Sequence, residues 1–318
     1  MSGEAQRAIV IGHRGQDGQL LTRLLCTRGY QVLGVDRGLT EALGGLPKAS
    51  DVALDQPETV REAVRALQPR EIYFLAAHHG SSEAGPPPDT YREALDGATV
   101  NLTAPLHFLD AIQRFSPASR MFFASSSLVF GSNPAQQPQD ESSPIAPEEP
   151  YGWQKALTSH ACTQYRRRFG TFASVGILYN HESSLRAPQF LSAKLVRAAV
   201  AAKKGQAQPL VLGNLDAVVD WGYAPDFVEA FTRVLALDDS GDFVIATGEP
   251  HTVRELAAIA FGHLGLDWQA HVTTDSSLLT RKAGARVGDA SKLRKATGWK
   301  PSISFEQMVR SLVDEAAR

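Results

Sequence analysis

A short apolar run, AIVI at residues 8–11, bends through glycines into a segment whose Leu20, Leu21, Leu24 and Leu25 recur at helical spacing before Gly29. A second apolar run, YQVLGVD, follows at once. This spacing predicts strand, turn, helix, strand. Further short strands are predicted at residues 52–54, 72–76, 121–124, 174–178 and 243–246, separated by helix-periodic segments such as PETVREAVRALQ. Alternation of this kind implies an α/β fold, a doubly wound parallel sheet covered by helices on both faces. The stretch PAQQPQDESSPIAPEEP, rich in proline and glutamine, reads as a long surface loop before a helix, and long loops of this kind tend to cover functional sites. No internal repeat is visible.

A chain of 318 residues is long for one core. The expected division is a nucleotide-binding domain over 1–179, completed by part of 209–247, and a smaller substrate-binding lobe over 180–318. The formal net charge is −2 with 21% charged residues, which argues against a nucleic-acid partner and leaves small molecules as ligands. The two cysteines, Cys26 and Cys162, lie in helix-like runs without CxxC or zinc spacing, and read as buried thiols in a reducing compartment. The polar start leads directly into a strand and no apolar stretch reaches membrane-span length, so a cytoplasmic protein without a membrane partner is expected.

Gly12, Gly15 and Gly18 form a GxxGxxG turn between the first strand and the first helix. Glycines let backbone approach a pyrophosphate, and the helix N-terminus offers free N–H groups and a positive dipole end. Asp36 closes the second strand, where an acid hydrogen-bonds a ribose diol and repels a 2'-phosphate; its alternative is an ordinary turn residue. Arg14 within the turn and Arg37 after the acid could each pair with a 2'-phosphate instead. The cofactor expected is NAD(P), with NAD favoured over NADP.

PYGWQK places Tyr151 and Lys155 on one face of a helix start. A free phenol ionises near ~10, and a neighbouring ammonium lowers that value until the phenolate can take a proton from a hydroxyl as hydride leaves the same carbon. Ser126, at the end of a strand, could orient the reacting oxygen. His78 and His79 occupy a loop leaving the sheet toward the same point, and read either as sugar contacts or proton relays, or as polar loop residues. No metal is expected, because NHES is not HExxH and no other ligand spacing occurs. Trp221 and Trp299 read as core, and Arg166, Arg167 and Arg168 as solvated cations at a helix C-terminus.

The blocks GQDG, EIYFLAA, YGWQK, LYNHES, LGNLDAVVDWGYAPDFVEA and GWKPSISFEQMV, in this order and nearly end to end, resemble the extended short-chain dehydrogenase/reductases, and within them the GDP-mannose 4,6-dehydratases. The resemblance implies a modified Rossmann fold with a C-terminal substrate lobe. It makes Tyr151 the general base, Lys155 its modulator and ribose contact, and Ser126 the hydroxyl partner. It places Asn180, Arg186, Lys194 and Arg281 against a nucleotide-diphosphate sugar, GDP-linked by resemblance alone; His79, from its loop position and not from the resemblance, is the further substrate contact expected. A homodimer or higher homo-oligomer, built through the long helices before Ala118 and after Tyr151, is implied in the same way.

The chain departs from that pattern where the dehydratases read Ser-Thr-Ser-Glu and it reads Ser125, Ser126, Ser127, Leu128. In the family that glutamate removes the C5 proton and helps the C6 hydroxyl leave. The basic pair between GNLDA and DWG is Val218 and Val219 here, and Leu185 replaces an arginine beside Arg186. The expected activity is therefore redox chemistry at a sugar carbon, C4, of 4-keto reductase, 4-dehydrogenase or 4-epimerase type. Two alternatives stand beside it: a 4,6-dehydratase drawing its acid from Glu83 or Asp89, and a cofactor-binding subunit without catalysis.

Overall fold

The computed structural model describes residues 5–46, 51–79, 90–131, 138–206, 208–275, 277 and 285–318. The first strands are β1 (Arg7–Ile11), β2 (Gln31–Asp36), β3 (Leu39–Leu43), β4 (Glu71–Phe74), β5 (Arg120–Ser126) and β6 (Phe172–Leu178). Then come β7 (Asn180–Glu182), β8 (Leu210–Leu212), β9 (Val218–Tyr223), β10 (Asp242–Ile245), β11 (Pro250–Thr252) and β12 (Val272–Thr274). Seven strands form one sheet in the order β10-β6-β5-β4-β1-β2-β3, parallel except for the edge strand β3. The remaining strands form a three-stranded sheet, β11-β9-β7, and a pair, β12-β8.

The structure differs from the sequence pattern at the β3 edge. Residues 52–54 are not a strand. Their edge of the sheet is already taken by β3, which the two-residue turn Arg37-Gly38 folds back on β2, with Gly38 at φ +62° and Asp36 opposite Leu39. A short hairpin of this kind needs positive φ in its turn, and glycine supplies it. Val52 is still buried, but its N–H donates to the Thr40 side chain at 2.9 Å instead of to a strand.

Helices cover both faces. On one lie α1 (Gln16–Thr27) and, later in the chain, Ala224–Leu235; on the other lie α2 (Pro57–Leu67), α3 (Thr90–Ala98), α4 (Ala104–Phe115) and α5 (Pro150–Phe169). In α1 the i, i+4 pair Leu21 and Leu25 is buried against Val10 and Val32, about 1.5–3 kcal/mol per side chain by transfer arithmetic. A π-helical turn, Thr99–Thr103, joins α3 to α4. Helix α5 starts on Pro150 at its first turn, where a missing N–H costs nothing, and stops at Gly170 in the left-handed region.

A third core lies outside the large sheet. It is formed by α6 (Leu191–Lys203), α8 (Val253–His263) and α10 (Phe305–Ala317) against the small sheets, whereas α7 (Ala224–Leu235, already met on the first face) and α9 (Ser291–Thr297) pack with the large sheet. Trp299 is buried on the large-sheet side and Trp221 in the third core. Cys162 is buried as expected, whereas Cys26 is only half-buried, at the margin of the first-face core beside Gly44. The carboxyl ends of the parallel strands and the small sheets face one cleft.

Candidate active site

The cleft has a volume of about 850 Å³ and its floor is the glycine turn. Gly12 leaves β1 at φ +87°, and a Cβ there would lie 2.7 Å from the Ala76 backbone nitrogen. A Cβ on Gly18 would collide with the Gly12 carbonyl oxygen, so only glycine lets α1 start this close to the strand. Gly15 sits at the N-cap with no side-chain cap, leaving the first N–H groups of α1 to a ligand. At the end of β2, the Asp36 carboxylate accepts the backbone N–H of Arg14 at 3.1 Å and of Arg37 at 2.8 Å. Gly12, Gly15, Gly18, Asp36 and Arg37 line the cleft. Arg14 does not, since its guanidinium turns away to Glu41 at 2.7 Å. A bare helix N-terminus, side-chain-free backbone and a fixed acid fit the pyrophosphate and ribose of a dinucleotide.

Opposite the cradle, β5 ends at Ser126, whose Oγ accepts the N–H of Leu128 at 3.2 Å. Ser126, Leu128, Tyr151 and Lys155 all line the cleft. Lys155 is 1% exposed; its Nζ donates to the Ala124 carbonyl at 2.8 Å and stands 5.6 Å from the centre of the Tyr151 ring. Burial without a compensating anion pulls its ammonium down to about 7. The His79 ring stacks on Tyr151, with centroids 4.3 Å apart and planes at 27°. His78 also lines the cleft, and its backbone N–H and carbonyl are held by Asn101, which in turn donates to Gln154 on α5 at 2.8 Å. Loop and helix are thus fixed to each other around the phenol.

The far wall comes from the segment after β6. Asn180 and Arg186 line it, and Arg186 lies over Phe190 at 3.9 Å and beside Glu182 at 3.3 Å. Lys194, on α6, is not among the residues lining the cleft, and Arg281, Glu83 and Asp89 lie outside the described residues. Val218 and Val219 line the wall where cations were missing from the sequence, and Arg286, bridged to Val219 in register, lines it too.

Four described carboxylates face this cleft, and each is engaged. Asp36 holds the glycine turn. Asp17 pairs with His181 at 2.8 Å. Glu182 accepts from the Ser192 hydroxyl at 2.5 Å, and Asp220 accepts from Thr247, Gly248 and Gly288. Beside Ser126 the side chain is Leu128.

Asp17, His181, Glu41 and Arg286 were not singled out from the sequence. Asp17 and His181 stand inside quoted blocks, GQDG and LYNHES, yet their pairing spans 164 positions of the chain and leaves no local trace. Glu41 had no local signal beyond its place between two glycine turns, since LTEAL does not alternate.

Comparison with known proteins accounts for this arrangement. The family model described as GDP-mannose 4,6 dehydratase matches residues 9–312. GDP-mannose 4,6 dehydratase 1 of Arabidopsis thaliana is 35% identical over 97% of this chain and 89% of its own. Among solved structures, RMD from Pseudomonas aeruginosa complexed with NADPH superposes with a TM-score of 0.82 at 22% identity, covering 98% of this chain and 99% of that one. The UDP-glucose 4-epimerase of Thermus thermophilus in complex with NAD gives 0.80 at 24%, covering 98% and 99%; at such identities these two speak for the fold. With its glycine cradle, its Ser126, Tyr151 and Lys155 around one cleft, and this match along nearly its full length, the chain belongs to the GDP-mannose 4,6-dehydratase family, nicotinamide-dependent nucleotide-sugar enzymes of the epimerase/dehydratase type.

Proposed function

We propose that the protein oxidises or reduces a nucleotide-linked sugar at C4 and releases no water, as a 4-keto reductase, 4-dehydrogenase or 4-epimerase. The observation that carries this is Leu128. It stands in the cleft wall one residue past Ser127, where elimination would need a proton-transferring acid, and every described carboxylate of the cleft is committed elsewhere. An alkyl side chain can neither remove the C5 proton nor assist a departing hydroxyl.

The roles proposed are these. Gly12, Gly15 and Gly18 admit the pyrophosphate and Asp36 takes the ribose diol, which favours NAD over NADP. A bound nicotinamide supplies the acceptor of hydride, or its donor in the reverse direction. Tyr151 takes the proton of the C4 hydroxyl and returns it when a ketone is reduced. Lys155 makes that possible, because an ammonium beside the phenol favours the phenolate, and the phenolate once formed draws the proton back onto the lysine. Ser126 already accepts the Leu128 N–H, so its hydroxyl hydrogen is left to donate to the sugar oxygen. His79, stacked on the phenol face, holds the ring and offers its edge to the sugar. Asn180, Arg186 and Arg286 are proposed to grip the nucleotide diphosphate, GDP by family, with Lys194 and Arg281 as further contacts.

A second copy of the chain is the proposed partner. Tyr91 and Leu95 on α3, and Trp153 and Leu157 on α5, are exposed large apolar residues on two helices tied together by Gln154 and the Ala94 carbonyl. No described helix is long and apolar enough to cross a membrane, and the unbridged Cys26 and Cys162 suit the reducing cytoplasm where we place the protein.

One observation favours a second reading, a 4,6-dehydratase: the Arabidopsis relative carries that name. It would need Glu83 or Asp89 as its acid. A subunit that binds cofactor without turnover is opposed by the complete set of Ser126, Tyr151 and Lys155.

Tyr151→Phe tests the shared core of the proposal. Cofactor binding should stay within about twofold while hydride transfer falls by a factor of ~10²–10⁴. A phenylalanine variant as fast as the parent would refute it.

A further inference from the structure

The residues beside the ribose end of the cradle form a connected set. Gly34, in the middle of β2, faces Glu41 across the hairpin, and the ring of His13 lies where a Gly34 side chain would be, 2.7 Å from an added Cβ. That space lets His13 sit 4% exposed beneath the turn, with its Nε2 2.7 Å from one oxygen of Glu41. The other oxygen takes the Arg14 guanidinium at 2.7 Å. Arg14 is thus bound twice, its backbone N–H to Asp36 and its side chain to Glu41.

We propose that Glu41 is a specificity-determining residue of the cofactor site, a latch that keeps the Arg14 guanidinium from a 2'-phosphate and so excludes the phosphorylated dinucleotide. It rests on the reading that the site prefers NAD. A solvent-exposed ion pair alone holds an arginine weakly. Here the carboxylate is fixed in advance from below by a buried imidazole, which leaves less freedom to lose when Arg14 closes on it. The hydrogen bonds from His13 and Arg14 hold the Glu41 carboxyl below its usual range, as a persistent anion requires. A 2'-phosphate approaching Asp36 would then meet that fixed acid while the arginine of the glycine turn is neutralised by another. Glu41→Gln removes the charge that holds Arg14 and leaves Asp36 in place.

Equilibrium dissociation constants for NAD⁺ and NADP⁺, from titration calorimetry on wild type, Glu41→Gln, Arg14→Ala and the double variant, test this. Glu41→Gln should raise NADP⁺ affinity relative to NAD⁺ by about tenfold or more, and adding Arg14→Ala should abolish the gain. Arg14→Ala alone, a change at a largely exposed residue, should not raise the ratio, because it leaves the Glu41 carboxylate without its cation. An unchanged ratio in folded Glu41→Gln, or a gain that survives in the double variant, would overturn the latch. Wild type binding NADP⁺ more tightly than NAD⁺ would instead sink the cofactor reading, so the two failures are told apart.

Discussion

Nε2 of His181 lies 2.8 Å from a carboxylate oxygen of Asp17, and Nδ1 of the same ring lies 2.7 Å from the Tyr179 carbonyl. Both neighbours are acceptors, so both ring nitrogens must carry hydrogen and the ring is an imidazolium. Burial works against that charge, but the Asp17 carboxylate outweighs it and raises His181 above its ordinary value. Burial likewise pushes Asp17 up, and His181 with Gln16 brings it below the usual carboxylate range. The ring also stacks on Phe227 at 4.4 Å, while Gln16 bonds the His181 carbonyl and the Ser183 hydroxyl. This pair fastens the glycine turn on α1 to β7, joining the cofactor cradle to the strand that carries Asn180.

The pair gives stability a definite pH window. His181 is raised in the folded state, so its contribution is complete below the unfolded value of 6.5 and is lost as pH rises through the higher folded value. Asp17 is lowered, so its contribution is complete above 3.8 and is lost as pH falls through the folded value. Urea midpoints of wild type should fall as pH rises past 6.5 in a step that His181→Asn lacks, and the variant should be less stable by about 3 kcal/mol near pH 6. Parallel midpoint curves for the two proteins would contradict the pairing.

Lys155→Met keeps the buried volume and removes the cation. The acid limb of the pH–rate profile for sugar oxidation should then move toward the free phenol value near ~10, with turnover near neutrality down by about 10². Ultraviolet titration of phenolate absorbance provides the same reading without substrate. Since burial draws the ammonium down to about 7, its help to the phenol in the resting site is greatest at or below neutral pH. A profile that does not move would mean that Lys155 does not tune Tyr151.

Leu128→Glu restores a carboxylate beside Ser126. A product lighter by one water should appear beside the redox product, detected by mass spectrometry. Redox turnover without any elimination product would show that the cleft lacks more than the acid.

The sequence was most legible where chemistry and periodicity coincide. The turn through Gly12, Gly15 and Gly18 is flanked by an apolar strand and a leucine-periodic helix, and Tyr151 and Lys155 need only one helical turn to meet. Residues 52–54 misled because three apolar-leaning residues satisfy a strand template, whereas the edge belongs to β3, whose mixed burial gives almost no pattern. Pairings across the fold were invisible for a different reason. Asp17 meets His181, and His13 meets Glu41, through sheet order and hairpin register, which local spacing does not encode. Arg14 illustrates the cost, since its place in the turn suggested a phosphate ligand and its side chain is spent on Glu41.

The most direct measurement is the mass of the product that wild-type enzyme forms from GDP-, UDP-, CDP- and dTDP-linked hexoses with the oxidised cofactor. Chemistry confined to C4 predicts a product of unchanged mass, an epimer, or one lighter by two hydrogens, a ketone. A product of the wild-type protein lighter by one water would contradict it.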